Sequence, residues 1–122
     1  MSGWKAYFRS FGYAIEGLVY AFKEHSSFRV ETIAAIGVLL AGLFFGISRE
    51  EWLVLIVLIF SVLVAELLNT SIETALDYLA FEHHISVKVA KDVAAGAVFL
   101  LSLGSVVIGL IIFLPYIFEL LG

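Results

Sequence analysis

Apolar and polar positions along the 122-residue chain fall into four helical patterns. In the first, Trp4, Phe8, Phe11, Ile15, Leu18 and Phe22 recur at steps of three and four, one stripe of a helix, while Lys5, Arg9, Glu16 and Lys23 lie largely off it. The pattern predicts an amphipathic helix over residues 4–28, lying in a membrane interface with its aromatic side down. A helix packed on a water-soluble core is the alternative. Residues 32–48, TIAAIGVLLAGLFFGIS, then carry no charge over 17 positions. At about 1.5 Å per residue that run is near the lower limit for crossing about 30 Å of hydrocarbon. The segment SREE, 48–51, is a polar turn, and Trp52 follows at an interfacial position.

The third pattern changes character partway along. Residues 52–65 are 14 apolar or small side chains, too few to span alone. No proline or glycine occurs between Glu50 and Ala80, so the helix is expected to continue through Glu66. The fourth pattern follows a polar connection over 82–92. It is uncharged from Val93 to Phe118 and ends in FLPYIF, where Pro115 and Tyr116 suit a membrane boundary. The expected spans are about 30–48, 51–76 and 91–118, in a single domain.

Composition supports lipid as the solvent. The chain is 62% hydrophobic, with a mean hydropathy of +1.08, against about 45–50% apolar in ordinary soluble domains. A soluble fold of this size cannot hide that much apolar surface. The net charge of −4 and the lack of a basic cluster argue against a nucleic-acid binder. With no cysteine, thiolate chemistry and Cys-based metal sites are excluded. The N-terminal residues lack the compact apolar core and cleavage site of a signal peptide. Lys5, Arg9, Lys23 and Arg29 precede the first span and Lys88 and Lys91 the third, while Arg49 alone lies on the other side. The positive-inside rule therefore places the N-terminus in the cytoplasm and the C-terminus outside.

Candidate chemistry lies in VAELLNTSIETALD, residues 64–77. Glu66, Asn69, Thr70, Glu73 and Asp77 share one helix face. Counted from Trp52, Glu66 lies about 21 Å into the bilayer, and Glu73 and Asp77 reach the cytoplasmic surface. A carboxylate within hydrocarbon costs at least about 2.5 kcal/mol and persists there facing protein or water. Three explanations stay open from the pattern alone: a metal or phosphate-chemistry site, a polar seam that fixes helix packing, or an ion path. In the first, Glu66 acts as a general base and Glu73 holds Mg²⁺, which prefers oxygen ligands. Lys91 would neutralise phosphate charge, with Asp92 orienting it. A snorkelling lysine and a helix-start aspartate explain that pair equally. The small residues Ala94, Ala95, Gly96 and Ala97 suit a crowded helix interface. Three spans do not easily enclose such a stripe, which favours a homo-oligomer with shared sites. A small transport or scaffold protein is the non-enzymatic rival, but residues 52–63 offer only Ser61 as a polar group, so no stripe crosses the whole span.

ELLNTSIETALD, together with AKDVAAGAV at 90–98 and GYAIEGLVYAFKEHSSFRVE at 12–31, resembles the small bacterial integral-membrane lipid kinases, the diacylglycerol and undecaprenol kinases. The resemblance covers nearly the whole chain. It implies an all-α membrane protein, a homotrimer with three transmembrane helices and an amphipathic surface helix per subunit, in the bacterial inner membrane. It implies transfer of the γ-phosphoryl of MgATP to a lipid hydroxyl without a P-loop, and no GxxxxGK[ST] occurs here. Matched by motif, Glu66 is the catalytic base with Asn69 beside it, and Glu73 is the metal carboxylate. Asp77, Lys91 and Asp92 line the nucleotide site, with Glu31 as a further functional acid. Family members usually carry a glutamate three residues before the phenylalanine of FR. His25 stands there, preceded by Glu24, and these two are the candidates to complete the metal site. The expected acceptor is diacylglycerol, with undecaprenol as the alternative.

Overall fold

The computed structural model describes residues 3–79 and 84–122. Four helices follow in order: α1 (Gly3–Glu24), α2 (Ser26–Phe45), α3 (Arg49–Leu79) and α4 (Ile85–Leu121). The last three are long and apolar enough to cross a membrane. At 1.5 Å per residue they measure about 30, 46 and 55 Å, so α3 and α4 outrun the hydrocarbon and carry their polar ends beyond it. Leu43, Phe44, Phe99 and Leu100 are each about 70% exposed on the single chain, as expected of side chains that meet lipid rather than water. The expected polar residues Glu82 and His83 lie outside the described segments.

Local chemistry sets the helix boundaries. α1 and α2 are separated by one extended residue, His25. The Arg29 guanidinium reaches back and donates from Nη1 to the Phe22 and Lys23 carbonyls at 2.9 and 2.7 Å. It thereby satisfies acceptors that the end of α1 leaves free, with a cation at the negative pole of the helix. The break thus falls four residues before the expected end of the surface helix at 28. α2 stops at Gly46, which adopts the left-handed φ of 61°, and the Ile47 N–H returns to the Gly42 carbonyl at 3.3 Å. α3 opens with a reciprocal cap: the Ser48 N–H donates to Glu51 Oε1 at 2.9 Å and the Glu51 N–H to Ser48 Oγ at 3.2 Å. His84 caps α4, its Nδ1 accepting from the Ser86 N–H at 3.1 Å. α4 continues through Pro115 to Leu121, three residues past the expected end of the span at 118. Pro115 deprives only the Ile111 carbonyl of a donor.

α3 is the central helix, packed against α1, α2 and α4. A buried cluster of Ile47, Leu55 and Ile112 lies toward its N-terminal end, flanked by Phe45, Trp52, Phe113 and Tyr116. There the Trp52 indole lies so close to the α2 backbone that a Cβ at Gly42 would stand 2.6 Å from its ring. Phe45 meets Phe113 and Tyr116, both with ring centroids 6.0 Å away. The Tyr116 hydroxyl donates to Glu51 Oε1, which ties α4 to the start of α3.

Candidate active site

The polar face of α3 grades from buried to exposed. Glu66 is 5% and Thr70 7% exposed, while Asn69 and Glu73 are half-buried and Asp77 is open. Thr74 Oγ1 donates to the Thr70 carbonyl at 2.8 Å, so that hydroxyl is satisfied within the helix. Asn69 Nδ2 donates to Glu73 Oε1 at 3.4 Å. Its Oδ1 is buried without a partner, a state that costs about 1–3 kcal/mol unless a ligand supplies a donor or cation.

Two other elements complete the surroundings of Glu66. Glu31 comes from the second turn of α2 and His25 from the α1–α2 break, and both lie, with Glu73, within electrostatic reach of the Glu66 carboxyl. The Arg29 cap fixes that break. His25 is half-buried and stands edge-on to Tyr20, centroids 5.9 Å apart. Glu24 is exposed at the last position of α1. Further along the chain Lys91, half-buried, pairs with Asp77 across α3 and α4. Asp92 bonds Lys88 at 2.6 Å instead of Lys91, and both partners of that pair are exposed.

The expected residues therefore fall into two groups. Glu31, His25 and Glu73 lie within electrostatic reach of Glu66, with Asn69 bonded to Glu73, and Asp77, Lys91, Asp92 and Lys88 form a charged rim where the C-terminal end of α3 meets the N-terminal end of α4. Lys88 and Arg29 were not singled out from sequence. Lys88 is legible as the (i, i+4) partner of Asp92. Arg29 is not, because its role depends on the chain reversing direction at His25. Among the described residues no three His, Asp or Glu side chains converge on one point able to hold a metal. The donor set still suits Mg²⁺, which usually takes one or two carboxylates and leaves its remaining positions to water and phosphate oxygens. Glu73 and the free Asn69 Oδ1 supply oxygen donors. His25 supplies nitrogen, a poorer match for that ion.

A helical multi-pass membrane protein with a buried carboxylate cluster opening onto a charged rim is the class these features define. The family model described as prokaryotic diacylglycerol kinase matches residues 12–113. The chain is 39% identical to an undecaprenol kinase of Bacillus subtilis over 109 residues, covering 89% of each protein. It is 34% identical to a diacylglycerol kinase of Synechocystis over 92% of this chain and 65% of that longer protein. It is 37% identical to a diacylglycerol kinase of Helicobacter pylori over 78% of this chain and 74% of the relative. The chain belongs to the prokaryotic diacylglycerol kinase family. It is a lipid kinase, using a nucleotide as phosphoryl donor and a membrane lipid as acceptor.

Proposed function

We propose that this chain transfers the γ-phosphoryl of ATP to the primary hydroxyl of a polyprenol of the undecaprenol type. The observation that carries the catalytic part is Glu66: a carboxylate 5% exposed, on a membrane-spanning helix, a few turns short of the charged rim. That is the depth at which a lipid hydroxyl rests when its tail lies in the bilayer. The acceptor assignment draws on the 39% identity with the Bacillus undecaprenol kinase, which extends over 89% of both proteins. Diacylglycerol is the second reading, favoured by the Synechocystis and Helicobacter relatives.

In the reaction, the lipid hydroxyl oxygen bonds to the γ-phosphorus as the bond from that phosphorus to the β–γ bridging oxygen breaks. ADP leaves with the electron pair, and the hydroxyl proton passes to the Glu66 carboxylate. Asn69 holds Glu73 by its amide N–H and so fixes the carboxylate assigned to the metal. Mg²⁺ bound with the nucleotide would offset phosphate charge at Glu73 and Asn69. His25 and Glu24, at the helix break, are the remaining positions from which a metal contact would come. Lys91 leaves Asp77 to meet the phosphates, and Asp92 with Lys88 flanks that position. Glu31 adds negative charge beside Glu66.

The same proposal covers assembly and placement. Ala21 is the only buried residue of α1 in the single chain, so its aromatic stripe is available to the inner-membrane surface and to neighbouring subunits. A homotrimer would wall the acidic face of α3 and share each site between subunits. The basic residues put α1 and the rim in the cytoplasm and the C-terminus outside. Purified protein is expected to phosphorylate undecaprenol faster than dioleoylglycerol at matched mole fractions in detergent. Equal or reversed rates would move the acceptor to diacylglycerol, and loss of all transfer to both would refute the catalytic assignment.

A further inference from the structure

A groove of about 470 Å³ lies between α2 and α4, floored by α3. That is within the usual range of about 300–1,000 Å³ for small-molecule sites. Ala34 and Ala35 line it from α2, Leu58 and Val62 from α3, and Ser102 and Gly109 from α4. Its two ends differ. Glu31 stands at one end, within electrostatic reach of Glu66. Phe113 lies at the other, where Phe45 meets Phe113 and Tyr116 at 6.0 Å and the Tyr116 hydroxyl is held by Glu51. Along α4 the lining runs from Ser102 to Phe113, about 16 Å at 1.5 Å per residue.

We propose that this groove seats the first isoprene units of the acceptor's tail, and that Gly109 and the aromatic stop at Phe45 and Phe113 determine which tails fit. This rests on the lipid-kinase reading above. The groove ends at Glu31, which lies within electrostatic reach of Glu66, so an acceptor whose hydroxyl reaches Glu66 would have its tail entering beside Glu31. Apart from Glu31 at its end and the hydroxyls of Ser102 and Ser105, its lining is apolar, as a hydrocarbon occupant requires. Ala34 and Ala35 on α2 and Ser102, Ser105 and Gly109 on α4 are small, which leaves room for the methyl branches of a prenyl chain between the larger Val38, Val106 and Leu110. Beyond the aromatic contact the tail leaves sideways into lipid. Burial from lipid into protein brings no hydrophobic gain. Selectivity therefore comes from shape, and a side chain that fills the groove acts on tails long enough to reach it.

Gly109→Leu provides that plug. A Cβ at Gly109 has no neighbour within 4 Å, so the side chain starts in open space and projects into the groove. The test compares kcat/KM of wild type and Gly109→Leu for geraniol, farnesol and undecaprenol in one detergent, and for dihexanoyl- and dioleoylglycerol alongside. Geraniol is expected to be unaffected, while farnesol and undecaprenol lose on the order of tenfold, the size of effect that one misfitted group produces in an apolar pocket. A uniform change across all acceptors, or none, overturns the proposal. So does dissociation of the Gly109→Leu oligomer on size-exclusion chromatography, which would make the groove a subunit contact. If only the glycerides are phosphorylated, the polyprenol assignment fails by itself. The groove proposal is then decided by whether dioleoylglycerol loses and dihexanoylglycerol does not.

Discussion

Replacing Glu66 by glutamine separates catalysis from folding. The substitution preserves volume and removes only the charge and the capacity to take a proton. General bases contribute about 10²–10⁴-fold to rate. An exposed base is partly replaced by water, but Glu66 is 5% exposed, so the upper part of that range applies. A loss of about 10³–10⁴-fold in kcat corresponds to about 4–5.5 kcal/mol of barrier at 1.36 kcal/mol per decade. Stability is expected to move the other way. Glu31 and Glu73 lie within electrostatic reach of Glu66, and a neutral amide relieves their repulsion and is cheaper to bury than a carboxylate. The assay is ADP release with saturating lipid, combined with thermal unfolding and size-exclusion chromatography in the same detergent. The expected result is near-zero turnover, an unchanged oligomer and a melting temperature equal to or above wild type. A kcat within about threefold of wild type would remove Glu66 as the base. A lower melting temperature would show that its charge is structural.

Glu73→Gln is expected to raise the Mg²⁺ concentration for half-maximal activity several-fold with little change in stability, and an unshifted titration would take Glu73 out of the metal site. Gly42→Ala is expected to cost about 1–3 kcal/mol, because the added methyl stands 2.6 Å from the Trp52 ring. Trp52→Leu in the same chain should recover part of the loss in a denaturation midpoint, and an additive double variant would refute the contact. Arg29→Ala frees two carbonyls at the end of α1. Limited proteolysis should then cut near His25 faster than in wild type, and equal rates would argue against the cap.

The order of helices and the continuation of α3 through Glu66 were legible because hydrophobic runs and the absence of Pro and Gly are local signals. The polar face was legible for the same reason, since helical periodicity alone puts Glu66, Asn69, Glu73 and Asp77 together. Contacts between helices were not. That Asp77 meets Lys91 while Asp92 turns to Lys88 depends on how α3 and α4 are rotated against each other. The His25 break was read four residues late because apolar periodicity runs on through Phe28, while the signal that ends α1 is a side chain from the next helix. Pro115 was read as suiting a membrane boundary within a span running to 118, and α4 does run through it, because near a helix end a proline leaves only one carbonyl without a donor.

The aromatic contact of Phe45 with Phe113 and Tyr116 also acts as a fulcrum. Because α2 and α4 are joined at that end and separated by the groove at the other, any change in the angle between them is levered toward the end that carries Glu31. Glu31 sits 14 residues from Phe45, an arm of about 21 Å, so a tilt of about 5° displaces it by about 2 Å. That displacement is the difference between a carboxylate in contact with a partner and one separated from it by a water. Subtle changes at the far end of the bundle, such as the loss of the Tyr116 hydroxyl that binds Glu51, are thereby magnified at the acids proposed to perform the reaction.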